Sequence, residues 1–273
     1  MSINITCICD NNVKLSSHLQ GEHGISFYIE NGKDKVLFDT GQSFGVLSHN
    51  AQELGVGLED VGKIVLSHGH YDHTGGLDKM LDYGIEKVFC HPDCFEDKYK
   101  LVKSKPVYIG IPIGRESIEE RTELVLSTTS MKVCDNILMT GEMARNNPYE
   151  GIPDVFFKKE DGKLIKDYIL DDQSLIVDNG KDAILLLGCN HSGLINTFKG
   201  AMELTDSNIT TIAGGTHLVA AGKERMDATI SFLKDYDVMV YGFHCTGDEA
   251  SIKMRKGLGE SYYKGYTGMS FEL

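Results

Sequence analysis

An α/β fold is the class this sequence predicts, and three observations carry the prediction. Apolar runs with strand character alternate with helical stretches along most of the chain. Several strand-to-helix joints carry histidine, at the position where open α/β architectures build their sites. A length of 273 residues with 41% hydrophobic side chains can bury one large core or two small ones.

Residues 3–9, 25–29 and 35–38 are short runs rich in Ile, Val and Phe and read as strands, followed by a helical stretch at 43–54. The run 63–66 (Lys-Ile-Val-Leu) reads as a buried strand, 76–83 as a helix and 87–90 as another strand. From about 95 to 170 the pattern changes. Short β-like pieces at 107–113, 124–126, 137–139 and 155–157 are mixed with charged and Asn/Pro-rich segments. This stretch reads as a strand-rich insertion within a single domain spanning 1–273. Alternation then resumes, with strands at 183–187, 209–213 and 238–243 and helices at 193–204, 223–235 and 248–258. The helix at 223–235 shows its period in Met226, Ile230 and Leu233.

A net charge of −13 predicts a negative surface field, which opposes binding to nucleic-acid phosphate or anionic lipid. The start of the chain lacks the basic and apolar regions of a signal peptide, and the apolar run 183–187 is far too short to span a bilayer. The seven cysteines (7, 9, 90, 94, 134, 189 and 245) follow no repeated frame, which predicts reduced thiols and a cytoplasmic protein. The expected partner is a small molecule, with no nucleic acid and no membrane.

The densest chemistry lies in Ser67-His68-Gly69-His70-Tyr71-Asp72-His73. Three imidazoles and a carboxylate in six residues offer the nitrogen and oxygen donors that zinc and its neighbours prefer. Placed on a strand-to-helix loop, these side chains can converge on a metal. Three later loops each put one histidine after a strand: Gly188-Cys189-Asn190-His191-Ser192, Gly214-Gly215-Thr216-His217 and Gly242-Phe243-His244-Cys245-Thr246. Any one of them alone is as consistent with a structural histidine as with a ligand. Together with the 68–73 cluster they point to ligands.

With these motifs the chain resembles the metallo-β-lactamase-fold superfamily. His68, His70, Asp72 and His73 match its His-x-His-x-Asp-His signature, and Asp39-Thr40-Gly41 resembles its early turn. His191 and His244 match the isolated histidines of its later motifs. Glu22-His23-Gly24, Gly214-Gly215-Thr216-His217 and His244-Cys245-Thr246-Gly247 are similar to a subgroup named after dihydropterin-methyl ribofuranosylaminobenzene-phosphate synthase. The resemblance implies an αββα sandwich of two mixed sheets flanked by helices, with the metal site at one edge. It also implies that His68, His70 and His191 hold one ion, and that Asp72, His73 and His244 hold a second.

In one place the chain departs from the pattern. Many relatives carry an Asp between the third and last His motifs, whose two oxygens bridge two metals, and this chain offers His217 instead. A neutral imidazole presents one lone pair to one ion, so His217 is read either as a ligand or as a donor facing the substrate. Asp39 is expected to orient ligand histidines. Cys189 and Cys245, beside ligand histidines, are read as packing residues, with sulfur ligation as the lesser alternative. Ser192, Thr246 and Thr74 stand near helix starts, where free N–H groups favour oxyanions, and are expected to help bind an anion.

The reading is a metal-dependent hydrolase, holding two zinc ions with manganese or iron as alternatives. A metal-bound hydroxide would attack a small phosphorylated or otherwise anionic substrate. His217 and Asp72 are its catalytic residues, His217 stabilising the developing charge. Three readings stand beside it: a lyase or synthase acting on a pterin or ribosyl phosphate, a di-iron redox protein, and a non-catalytic metal or ligand sensor. His70 stands where the flavo-diiron members carry Glu, which disfavours the redox reading.

Overall fold

A computed structural model of the chain describes residues 2–273. The first part holds strands β1 (Ile3–Cys9), β2 (Ser26–Asn31), β3 (Asp34–Phe38), β4 (Lys63–Val65) and β5 (Lys87–Cys90). Between and after these lie helices α1 (Phe44–Leu54), α2 (Tyr71–Thr74) and α3 (Leu77–Met80). The middle contributes β6 (Lys98–Val102), β7 (Lys105–Tyr108), α4 (Arg115–Glu119), β8 (Glu123–Leu126), β9 (Met131–Cys134) and β10 (Ile137–Met139). It continues with β11 (Phe156–Glu160), β12 (Lys163–Lys166) and β13 (Ser174–Asp178). The last part is β14 (Asp182–Leu187), α5 (Leu194–Leu204), β15 (Asn208–Gly215), α6 (Lys223–Leu233), β16 (Met239–Phe243), α7 (Asp248–Leu258), β17 (Tyr262–Lys264) and β18 (Ser270–Glu272).

Two seven-stranded sheets dominate, in the orders β18-β1-β2-β3-β4-β5-β8 and β17-β16-β15-β14-β13-β10-β9. Both are mixed. In the first, β18 through β3 are antiparallel and β3, β4, β5 and β8 run parallel. In the second, β17 through β14 are parallel and the remaining pairs antiparallel. Period-two alternation explains why the sheets stack. Val36 and Phe38 of β3 join Ile184 and Leu186 of β14 in one apolar layer between the sheets.

The intervening side chains point outward to helices. Leu37 meets Leu47 and Ala51 of α1 and Leu77 and Met80 of α3, while Leu185 and Leu187 meet Leu194 and Phe198 of α5. This is the αββα sandwich that the resemblance implies. Phe38 is wholly buried in the central layer, so truncation to Ala there would cost about 3–5 kcal/mol.

The 95–170 stretch divides among the sheets. β8 extends the first sheet and β9 and β10 extend the second, while β6, β7, β11 and β12 form a separate four-stranded sheet. Among the described residues, no helix is long and apolar enough to cross a membrane.

Candidate metal centre

Parallel strand ends deliver most of the histidines to one edge of the sandwich. β4 ends at Val65, and the loop that follows carries His68 and His70 into the first turn of α2, which holds Asp72 and His73. His191 follows β14, His217 follows β15, and His244 follows β16. Gly69 must be glycine, because a Cβ there would run into the carbonyl of Cys94.

Two sets of donors form. His68, His70 and His191 place one donor atom each within 4.8 Å of one another, and so do Asp72, His73, Cys189 and His244. A third grouping, Cys189, His191 and His217, overlaps both. His68 Nε2 lies 2.8 Å from His70 Nδ1, close to the spacing of two ligand atoms about 2 Å from a shared ion. One oxygen of Asp72 faces three imidazoles, with His23 Nε2 at 3.2 Å, His244 Nε2 at 3.3 Å and His73 Nε2 at 3.7 Å.

Neighbouring groups fix the rings. Asp39 accepts from His73 Nδ1 at 2.6 Å and from the amide and hydroxyl of Ser67, both at 2.7 Å. His244 is anchored twice, its amide donating to Asp10 and its Nδ1 paired with Asn11 Oδ1 at 2.8 Å. Asp172 accepts from the amides of His191 and Ser192, both at 2.8 Å. Gly69 N–H donates to Asp171, whose other oxygen takes Lys98 at 2.8 Å, with Asp167 on the far side of the same ammonium at 3.2 Å. The backbone is strained here, since Asp39, Asn190, His217 and His244 all have positive φ. Such conformations cost L residues on the order of 1 kcal/mol and persist where the surroundings enforce them.

The donors suit a cation. His70 Nε2, both nitrogens of His191 and His217 Nδ1 are buried without a hydrogen-bond partner, a loss that a bound ion would recover for the nitrogens turned toward it. Burial, reinforced by neighbouring imidazoles, pushes His68 and His191 well below the ordinary histidine value. Burial also takes His70 to about 3. These rings are therefore neutral at pH 7, as ligands must be. His73 behaves oppositely. Burial opposes its charge, yet Asp39 and Asp72 outweigh that and raise it to about 9. Asp72 stays well below the usual carboxylate range despite burial, because His73 and His244 favour its anion.

A cleft of about 150 Å³ opens over the centre, lined by His70, Asp72, His191, His217 and His244 together with His23, Tyr71 and Cys189. Its outer wall includes Lys100 from β6, Phe156 from β11, Ile109 and Val219. Phe156 stacks on His70 with ring centres 5.8 Å apart, and Lys100 Nζ stands 5.7 Å from the Phe156 ring centre.

Comparison with known proteins bears on this arrangement. The profile of the metallo-beta-lactamase superfamily matches residues 21–129, which include the His68–His73 cluster. The uncharacterized protein MJ0448 of Methanocaldococcus jannaschii is 34% identical over 85% of this chain and 87% of its own length. The chain belongs to the metallo-β-lactamase superfamily. Within it, the 7,8-dihydropterin-6-methyl-4-(beta-D-ribofuranosyl)-aminobenzene-5'-phosphate synthase of the same organism is 28% identical over 98% of this chain and 95% of that enzyme. The crystal structure of Tm1679, described as a metal-dependent hydrolase of the beta-lactamase superfamily, superposes with a TM-score of 0.85 at 25% identity, covering 99% of each chain.

Within this superfamily fold, the six histidine and aspartate residues expected as ligands are brought together, and His217 lies beside them. Ser192, Thr246 and Thr74 are placed elsewhere. All three are buried and outside the cleft lining. The Thr74 hydroxyl donates to the His70 carbonyl, Thr246 pairs with Thr216, and Ser192 Oγ accepts from Arg145. The start of α5 is already occupied by an anion of the protein itself, since Glu150 accepts from the amides of Ile195 and Asn196. Sequence reasoning missed Lys100 and Phe156, because nothing local links a charged, irregular stretch to a loop far earlier in the chain. For Cys189, two positions before His191, it preferred packing to sulfur ligation.

Proposed function

We propose that the chain is a metal-dependent hydrolase acting on a small phosphorylated or otherwise anionic molecule. The observation that carries this reading is the pair of adjoining donor sets on the floor of a cleft. His68, His70 and His191 would hold one ion and Asp72, His73 and His244 the second, zinc being the metal that this nitrogen-rich set suits. When bound, such ions lower the pKa of a water toward 7 and act as Lewis acids on a substrate oxygen.

The chain's own side chains then have separable tasks. His217 lines the cleft 4.2 Å from His191, ring centre to ring centre, and would donate to the oxygen on which charge develops. Lys100 supplies positive charge at the wall, which takes over the anion-binding role expected of Ser192, Thr246 and Thr74. Phe156 shields one side of the donor histidines from water. The free thiols, nearly all buried, suit a reducing cytoplasm.

A second reading has its own support in the full-length similarity to a named synthase, which favours a lyase or synthase reaction on a pterin or ribosyl phosphate. Zinc- and manganese-loaded protein, incubated with phosphomonoesters, phosphodiesters, lactones and a pterin phosphate, separates the two by mass spectrometry of the products. Water incorporated from H₂¹⁸O supports hydrolysis. Carbon–carbon or carbon–nitrogen bond formation without ¹⁸O supports the synthase reading, and metal-loaded protein that binds these compounds without turning any over sinks both.

A further inference from the structure

We propose that the Cys189 thiolate is a sulfur ligand of the ion that Asp72, His73 and His244 would hold. The proposal rests on the metal reading above and adds a sulfur donor to it. Cys189 Sγ lies within 4.8 Å of the donor atoms of Asp72, His73 and His244, which lie as close to one another. A thiolate sulfur is polarisable, carries several lone pairs and is the form in which cysteine binds metals.

The two thiols at the site differ in their partners. Cys245 Sγ donates to the Cys189 carbonyl and accepts from the His217 amide, both at 3.3 Å, so the backbone accounts for it. Cys189 Sγ instead faces His73 Nε2 at 3.2 Å. It is 4% exposed and lines the cleft. The nitrogens of His191 beside it are buried without partners, which points independently to a cation there.

The backbone holds the sulfur in place. Gly188 admits no Cβ because Ser67 presses against it, and Asn190 accepts the Thr197 hydroxyl at 2.6 Å. The loop bearing Cys189 is thus locked onto the loop bearing His68. Coordination involves no redox change. The S–H proton leaves to solvent as the ions bind, and the sulfur keeps both electrons of the former bond.

X-ray absorption on the zinc-loaded protein tests the assignment. A Cys189 ligand gives a sulfur shell at about 2.3 Å beside the nitrogen and oxygen shell at about 2.0–2.2 Å. Cobalt-substituted protein should also show a sulfur-to-cobalt charge-transfer band in the near ultraviolet. Cys189→Ser should abolish both signals and lower zinc content below that of the wild type, while Cys245→Ser keeps both. Zinc bound by nitrogen and oxygen alone, or a sulfur shell that survives Cys189→Ser, overturns the proposal and leaves the hydrolase reading standing. Wild-type protein that binds no zinc overturns both. Should Cys189→Ser fail to fold, the wild-type and Cys245→Ser spectra still decide, since loss of sulfur in the latter would assign the wrong thiol.

Discussion

Lys98 Nζ lies 2.8 Å from Asp171 Oδ1, joining the small four-stranded sheet to the carboxylate whose other oxygen holds the Gly69 amide of the metal-binding loop. Both side chains are fully buried. Lys98→Met would leave two buried carboxylates without their counterion, at a cost of about 3–5 kcal/mol in urea unfolding. The Lys98→Met/Asp171→Asn double variant should recover part of that loss.

The pair also sets a pH range. Burial opposes both charges, yet Lys98 holds Asp171 below its ordinary value, and Asp171 and Asp167 hold Lys98 above its own. The Asp171 contribution is present above the unfolded carboxylate value near 3.9 and disappears as pH falls through the lower folded value. The Lys98 contribution is complete below about 10.4 and disappears as pH rises through the higher folded value. The difference in Tm between wild type and the double variant should therefore be flat between those limits and shrink outside them.

Chelation exposes the opposite behaviour at His73. In metal-free protein its value of about 9 stands above the ordinary 6.5, so its stabilising contribution is full below pH 6.5 and is lost as pH rises through 9. Zinc binding improves over the same interval, because the proton it must displace leaves more easily. Calorimetry should show the gap in Tm between zinc-loaded and chelated protein widening from pH 6.5 to 9. A gap that narrows would contradict the roles given to Asp39 and Asp72.

Asp39→Asn removes the anion that fixes His73 through Nδ1 while preserving side-chain size. Competition with a zinc chelator should show affinity reduced by about 10–100-fold, the usual result of losing such an orienting carboxylate. Unchanged affinity would make Asp39 a fold residue only.

His217→Ala should retain the wild-type metal content and lower kcat by about 10²–10³-fold, as loss of a donor to developing charge does. Loss of one metal equivalent would instead make His217 a ligand. Lys100→Glu should leave metal content and kcat nearly intact and raise KM for an anionic substrate by about tenfold or more. Equal effects on neutral and anionic substrates would remove Lys100 from recognition.

The parts of this molecule that the sequence displays are those specified locally. Strands β1 and β5 coincide with their apolar runs, and the starts and ends of α1, α5, α6 and α7 fall within two residues of expectation. Strands β17 and β18 have three residues each, too few for any period to emerge. Strands β6 and β12 are lysine-rich, the first partly and the second mostly exposed, so they read as solvated segments until their pairing with β11 is known. At the site, His68, His70, Asp72 and His73 announce themselves because one turn of chain contains them. Lys98 and Asp171 stand 73 residues apart, and only tertiary pairing makes their charges a unit.

Strand β6 carries two lysines with opposite obligations. Lys98 is buried against the scaffold, and two residues on, Lys100 reaches the cleft. Any exchange of this small sheet for one of different shape, whether by evolution or in the laboratory, would change which molecules enter while also withdrawing the ammonium that neutralises Asp171. New specificity grafted at this position must therefore arrive with a cation of its own, or the loop that carries His68 and His70 loses its footing.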